Sequence, residues 1–266
     1  MNSHSASKKH RSLTARSLMS VRRIAASERS GAADAQLGMA LTFIAGAINA
    51  GGFLAVGQYT SHMSGILSSM ADNLALGALG VVMLGLIAFL PFVMGAAASA
   101  MLVNWGRRHR LGSLYALPLM LEAGLLLGFG LLGWLAYSSP FFVTIAVPLL
   151  CFIMGLQNAT VTKISGARMR TTHVTGIVTD IGIELGKLLY WNRSKDAGDI
   201  VRADREKLLL LIVLLGSFFA GGVTGAIGFS HIGFLFSLPF AGLLLLLAGP
   251  PLVEDVFAHS RQARET

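Results

Sequence analysis

The sequence predicts an all-α polytopic membrane protein. It has six transmembrane helices arranged as two inverted three-helix repeats, with short amphipathic or re-entrant helices after the first and fourth. Three observations lead there. The chain is 54% hydrophobic and only 13% charged over 266 residues, whereas a soluble domain carries about a quarter charged residues. The loops between apolar runs alternate between basic and non-basic. An eight-residue phrase, Thr60-Ser61-His62-Met63-Ser64-Gly65-Ile66-Leu67, returns as Thr171-Thr172-His173-Val174-Thr175-Gly176-Ile177-Val178, with four positions identical.

Residues 1–35 carry Lys8, Lys9, Arg11, Arg16, Arg22, Arg23 and Arg29 against Glu28 and Asp34. No apolar h-region precedes a cleavage site, so no secretory signal is expected. The composition resembles a transit peptide, but a basic disordered cytoplasmic tail explains it more simply. The transmembrane domain is expected over 36–252, with spans near 37–57, 76–103, 113–137, 141–162, 207–228 and 231–250. Its repeat halves are 37–139 and 141–250, and 253–266 reads as a second cytoplasmic tail. Pro91, Pro118, Pro148 and Pro239 fall inside four spans, where neighbouring helices re-satisfy the freed carbonyls.

The stretch 58–75 has no Lys or Arg, and 104–112 has Arg107, Arg108 and Arg110. The link 138–140 is uncharged. The stretch 163–207 has Lys163, Arg168, Arg170, Lys187, Arg193, Lys195, Arg202, Arg205 and Lys207, the link 229–230 is uncharged, and the end has Arg261 and Arg264. The positive-inside rule then puts both termini in the cytoplasm of a multi-pass protein, with the lipid bilayer as first partner. The basic excess sits in these loops, without aromatic interleaving, so no nucleic-acid partner is expected. Cys151 lies alone in an apolar run and reads as a small hydrophobe. Trp105, Trp134 and Trp191 fall near span ends as interface anchors.

The repeat runs beyond the phrase. Asn49 and Asn158 lie 109 residues apart, and His62 and His173 lie 111 apart. Phe92-Val93-Met94-Gly95 with Ser99 matches Phe218-Phe219-Ala220-Gly221 with Gly225, a small-x-x-x-small pair in each copy that allows close helix approach. Leu114 to Pro118 matches Leu235 to Pro239. Three spans per half is odd, so the halves must have opposite topology, as in many secondary transporters with a site near the midplane. Channels of the aquaporin type share that architecture.

The segments 61–75 and 172–190 are too polar for spans and too apolar for loops. His173, Gly176, Asp180, Glu184 and Lys187 fall on one helical face, as do His62, Gly65, Ser69 and Asn73. Thr60, Ser61, Thr171 and Thr172 are expected N-caps. Either the segments re-enter the membrane and offer their N-termini to a ligand, or they lie in the headgroup region. Asn49, Gln157 and Asn158 are polar amides in apolar spans, and are read as either site or interhelical glue. With Ser64, Gly65, Thr175 and Gly176 they form the expected substrate contacts. His62 and His173 are candidates for proton coupling. Glu122, an acid well inside a span, and Asp180 and Glu184 join them as candidates for ion coupling. No metal-ligand spacing, phosphate loop or nucleophile–base pattern is visible, so no metal, no cofactor and no enzymatic activity is expected.

These residues resemble the YoaK family of bacterial membrane proteins, the holders of domain of unknown function 1275. The resemblance rests on Ala45-Gly46 with Ala50, the first Ser64-Gly65, Gly155-Leu156-Gln157-Asn158-Ala159, Thr171-Thr172, Thr175-Gly176 and Thr179-Asp180. It covers roughly 37–250. The family usually has Asp where this chain has Asn49, and Thr-Gly-Asn where it has Ser64-Gly65-Ile66. The resemblance implies a six-helix protein of the bacterial inner membrane and supplies no substrate. A small-solute or ion transporter is the first expectation, with a passive channel or a non-transporting scaffold as alternatives and a homo-oligomer left open.

Overall fold

The computed structural model describes residues 31–166, 169–191 and 201–265. Most of the basic tail 1–35 lies outside them, as do Arg168, Arg193 and Lys195. The described residues form eight α-helices. They are α1 (Gly31–Val56), α2 (Met63–Ala75), α3 (Leu79–Arg108), α4 (Ala116–Ala136), α5 (Phe142–Ile164), α6 (Val174–Leu189), α7 (Arg205–Ile232) and α8 (Ser237–Glu265). A 3₁₀ turn at Phe234–Phe236 leads into α8. Helices α1, α3, α4, α5, α7 and the Phe234–Asp255 part of the last segment are long and apolar enough to cross a membrane. Their outward faces carry Leu84, Met94, Leu135, Phe219 and Leu246, all exposed. Such faces suit hydrocarbon, and the architecture is that of a multi-pass membrane protein.

Three helix ends and two proline positions differ from the sequence expectation. Helix α1 already starts at Gly31, inside the expected tail. Helix α7 runs through the expected link at 229–230 and stops at Gly233, whose φ of 78° belongs to the left-handed region that glycine adopts without a Cβ penalty. Pro118 and Pro239 sit in the first turns of α4 and α8, where a missing N–H costs no helical bond. Of the four prolines expected inside spans, Pro91 and Pro148 lie inside their helices, and Pro250 and Pro251 lie inside α8 as well. Helix α8 continues through the expected tail to Glu265.

The spans pack as pairs that each take one helix from each half. Helix α1 lies along α7: a Cβ on Gly46 would collide with the Phe218 carbonyl, and one on Gly221 with the Phe43 carbonyl. Further along, Gly225 abuts Ala47 and Gly51 abuts Phe229. The contacts climb together, so α1 and α7 run parallel. Helix α3 lies along α5 in the same manner. Gly95 meets the Phe152 carbonyl, Gly155 meets the Phe92 carbonyl, and Ser99 Oγ sits 2.8 Å from Thr160 Oγ1. These two parallel seams use matching residues of the repeat: Phe43 and Phe152, Gly46 and Gly155, Phe92 and Phe218, Gly95 and Gly221. Helix α4 pairs with α8 in the opposite sense. Ser237 Oγ donates to the Leu126 carbonyl at 3.1 Å, and Ser113 N donates to Asp255 Oδ2 at 2.8 Å.

The helix ends sort accordingly. The Asp255 contacts and the Tyr115 hydroxyl, which donates to the Lys163 carbonyl at 3.2 Å, bring the 109–115, 163–166 and 255 regions to one end. Tyr137, Phe142 and Phe234 cluster at the other, with ring centroids 5.0–5.4 Å apart. Arg107, Arg108, Arg110 and Lys163 thus share an end, as the alternation of loop charge requires of six passes.

Candidate functional site

The site begins with two short helices. Helix α2 spans 13 residues, about 20 Å of helix, less than the ~30 Å hydrocarbon core. Helix α6 has 16. Met63 and Ile66 of α2 pack beside Ala88 and Phe92, and Phe92 lies near the middle of α3. Asp180 and Glu184 of α6 meet Lys207 near the start of α7. One turn earlier Ile177 lines a depression with Leu211, in the second turn of α7, and the N-cap His173 shares a cavity with Phe218 of mid-α7. Each short helix therefore begins beside the middle of a long one.

Both beginnings open on one cavity of about 840 Å³. Ser61, His62, Met63 and Ser64 from the first phrase line it, with Thr172, His173, Val174 and Thr175 from the second. Asn49 and Asn158 complete the polar wall, and Phe92, Ala96, Gly155, Ala159 and Phe218 form the apolar one.

The phrases are held in place by the span asparagines. Ser61 Oγ donates to Asn49 Oδ1 at 2.8 Å. Asn158 Nδ2 donates to Thr172 Oγ1 at 2.7 Å and to the Met154 carbonyl at 2.8 Å, while its Oδ1 accepts from Thr171 Oγ1 at 3.2 Å and Thr172 N at 3.3 Å. This corrects the expected N-caps. The Ser61, Thr171 and Thr172 hydroxyls are turned toward the asparagines and the buried Thr60 hydroxyl makes no bond among the described residues, so the N-cap residues are His62 and His173, with φ, ψ of −87°, 63° and −83°, 56° and no side-chain capping bond. The first-turn N–H groups are left without a side-chain cap. The repeated His-x-x-Gly spacing has a packing cause: a Cβ at Gly65 or Gly176 would collide with the His62 or His173 ring.

The expected site residues separate into groups. Asn49, Asn158, Ser64, Thr175, His62 and His173 share the cavity. Gly65 lies under His62, and Gly176 borders a smaller depression with Arg170, His173 and Asp180. Gln157 does not line the cavity. It is buried, and its Nε2 donates to Glu122 Oε1 at 2.7 Å, tying α5 to α4. Asp180 sits 3.6 Å from Lys207 Nζ. Glu184 is buried, pairs with Lys187 at 2.9 Å and Lys207 at 3.8 Å, and accepts from Asp204 N at 2.9 Å. The Lys187 hydrogen bond, followed by the Asp204 amide, holds the Glu184 carboxyl below the ordinary carboxylate range.

Sequence reasoning missed Arg170, Tyr59, Thr162 and the two phenylalanines as lining residues. The signal lay in the repeat register. Arg170 and Tyr59 occupy the same place before their phrases, as Phe92 and Phe218 do in their helices, and all four face the cavity.

Fold and cavity together define a six-span helical membrane protein whose two copies of one short-helix element share a single pocket. The family model for proteins of unknown function named DUF1275 matches residues 37–249, and the chain belongs to that family. No curated protein matches the chain, and no solved structure matches it.

Proposed function

We propose that the protein is a small-solute or ion transporter of the bacterial inner membrane, with both termini cytoplasmic and the substrate bound between the two phrases. The observation that carries this reading is the shared cavity. Two segments separated by 111 residues of sequence, with the same polar chemistry, line one pocket beside the middles of α3 and α7. Helices α2 and α6 act as half-membrane re-entrant elements, and the uncapped backbone at their starts is tolerated because it faces a cavity. The parallel α1–α7 and α3–α5 seams and the antiparallel α4–α8 pair support an inverted repeat with its two-fold axis in the membrane plane.

The moving bodies in this reading are not the sequence halves. Each glycine seam joins one helix from each half, so α1, α6 and α7 move together against α2, α3 and α5. Asn49, Ser64 and Thr175 contact substrate, Asn158 anchors the second phrase, and Gly65 and Gly176 seat the histidines. His62 and His173 carry proton coupling. Glu122 with Gln157 fastens α4 to α5, and Asp180 and Glu184 fasten α6 to Lys207 of α7.

A passive channel is the second reading. Half-helices meeting at a hydroxyl-lined cavity favour it. Flux into liposomes holding the purified protein separates the two across a panel of labelled ions and small solutes. Saturable accumulation against a gradient supports the transporter, and non-saturating downhill flux supports the channel. Absence of any flux would leave a scaffold.

A further inference from the structure

The cavity's lining has a one-sided charge. Among the described residues that line the cavity, Arg170 has the only formally charged side chain, and none is Asp or Glu. Asp180 shares the smaller depression with Arg170, but its carboxylate lies beside Lys207 at 3.6 Å. Among the described residues no carboxylate forms an ion pair with Arg170. Arg170 is exposed on the cavity side, so its guanidinium is free to take an anion, and its planar fork fits carboxylate and phosphate oxygens in a bidentate manner.

A second observation is independent of the arginine. Asn49 is only 8% exposed and lines the cavity. Its Oδ1 accepts from Ser61, but among the described residues its Nδ2 has no partner. Its repeat mate Asn158 spends both amide protons on Met154 and Thr172. The Asn49 amide therefore presents unused donors to the cavity. The starts of α2 and α6 add partial positive charge there. A volume of about 840 Å³ exceeds what a bare ion fills and falls in the range of small-molecule sites. The apolar wall of Phe92, Ala96, Gly155 and Phe218 offers contact to a carbon skeleton.

We propose that the cavity binds a small organic oxyanion, its carboxylate or phosphate head on Arg170 and an acceptor on its body meeting the Asn49 amide. The proposal rests on the transport reading for the choice of cavity and names the substrate class for it.

The test measures the thermal melting of the purified full-length protein in detergent against sodium acetate, 3-hydroxybutyrate, phosphate and glycerol phosphate. Sodium chloride at equal ionic strength, glycerol and choline chloride are the controls. The expected result is a saturable rise in Tm with 3-hydroxybutyrate or glycerol phosphate beyond that with chloride, and the two arms separate carboxylate from phosphate heads. Arg170→Gln weakens the apparent Kd at least tenfold and Arg170→Lys less. Asn49→Asp, which puts a negative charge in the same cavity, weakens it comparably and serves as the test if Arg170→Gln does not fold. Arg110→Gln removes the same charge away from the cavity and leaves the Kd unchanged.

A saturable shift that survives Arg170→Gln overturns the proposal, as does a panel in which only glycerol or choline acts or in which no oxyanion acts. Acetate or inorganic phosphate binding as tightly as the longer members overturns the role given to Asn49 and the apolar wall. Oxyanion binding without flux in liposomes sinks the transport reading and leaves this one standing. Saturable flux of a neutral or cationic solute alone does the reverse.

Discussion

Replacing the two span asparagines by alanine should have unequal costs, although the residues are repeat mates. Asn158→Ala removes three bonds that fasten the second phrase: those with Thr172 Oγ1, Thr171 Oγ1 and Thr172 N. Asn49→Ala removes one, to Ser61. Side-chain hydrogen bonds between membrane helices average about 0.6 kcal/mol. Asn158→Ala should therefore cost about 2 kcal/mol and Asn49→Ala about 0.6 kcal/mol. Thr171, fully buried, would lose its acceptor as well, which widens the gap. The assay is reversible unfolding in mixed micelles, comparing midpoints at constant slope. Equal costs, or a larger cost at Asn49, would refute the reasoning that Asn158 is the anchor and Asn49 the free donor.

Further outcomes follow from the same geometry. Gly155→Val and Gly46→Val drive a side chain into a partner's backbone carbonyl and should cost about 1–3 kcal/mol or more as overpacking. Gly124→Ala has open space and should change the same melting curve by less than about 0.5 kcal/mol. Gln157→Ala removes the only bond that Glu122 makes among the described residues, whereas Glu122→Gln keeps an acceptor for it. A double-mutant cycle should show coupling of about 0.6–1.7 kcal/mol, and zero coupling would dissolve the pair. The Glu184 carboxyl is held below its unfolded value. Its contribution is therefore full above about pH 4.3 and is lost as pH falls through the lower folded value. Glu184→Gln should flatten that acid limb in a pH series of melting curves. An unchanged limb would place the stabilisation elsewhere.

Much of the fold was legible because hydropathy and loop charge act through the bilayer, which reads sequence one segment at a time. The six spans and both short helices follow from that. Pairing across the halves was not legible, since nothing in the run of Gly46 or Gly155 says which backbone fills the space beside it. The site divides in the same way. Gln157 and Asn158 look alike in sequence, yet one residue turns a helix by about 100°. That rotation sends Asn158 to the cavity and Gln157 to Glu122. Arg170 was hidden among loop cations because its role depends on chain return from outside the helix, which periodicity does not encode. The expected caps failed because Thr171 and Ser61 had nearer partners in space than their own helices.

The transport reading requires α2 and α6 to enter the membrane from opposite sides and meet at one cavity. The chain has one cysteine, Cys151, which is buried, so Cys151→Ala gives a cysteine-free background in a single step. The decisive measurement is labelling of Gly77→Cys, just past the end of α2, and Trp191→Cys, just past the end of α6, with a membrane-impermeant thiol reagent in intact cells and in inverted vesicles. Gly77→Cys is expected to react from outside only and Trp191→Cys from the cytoplasmic side only. Labelling of both from the same side would contradict that reading.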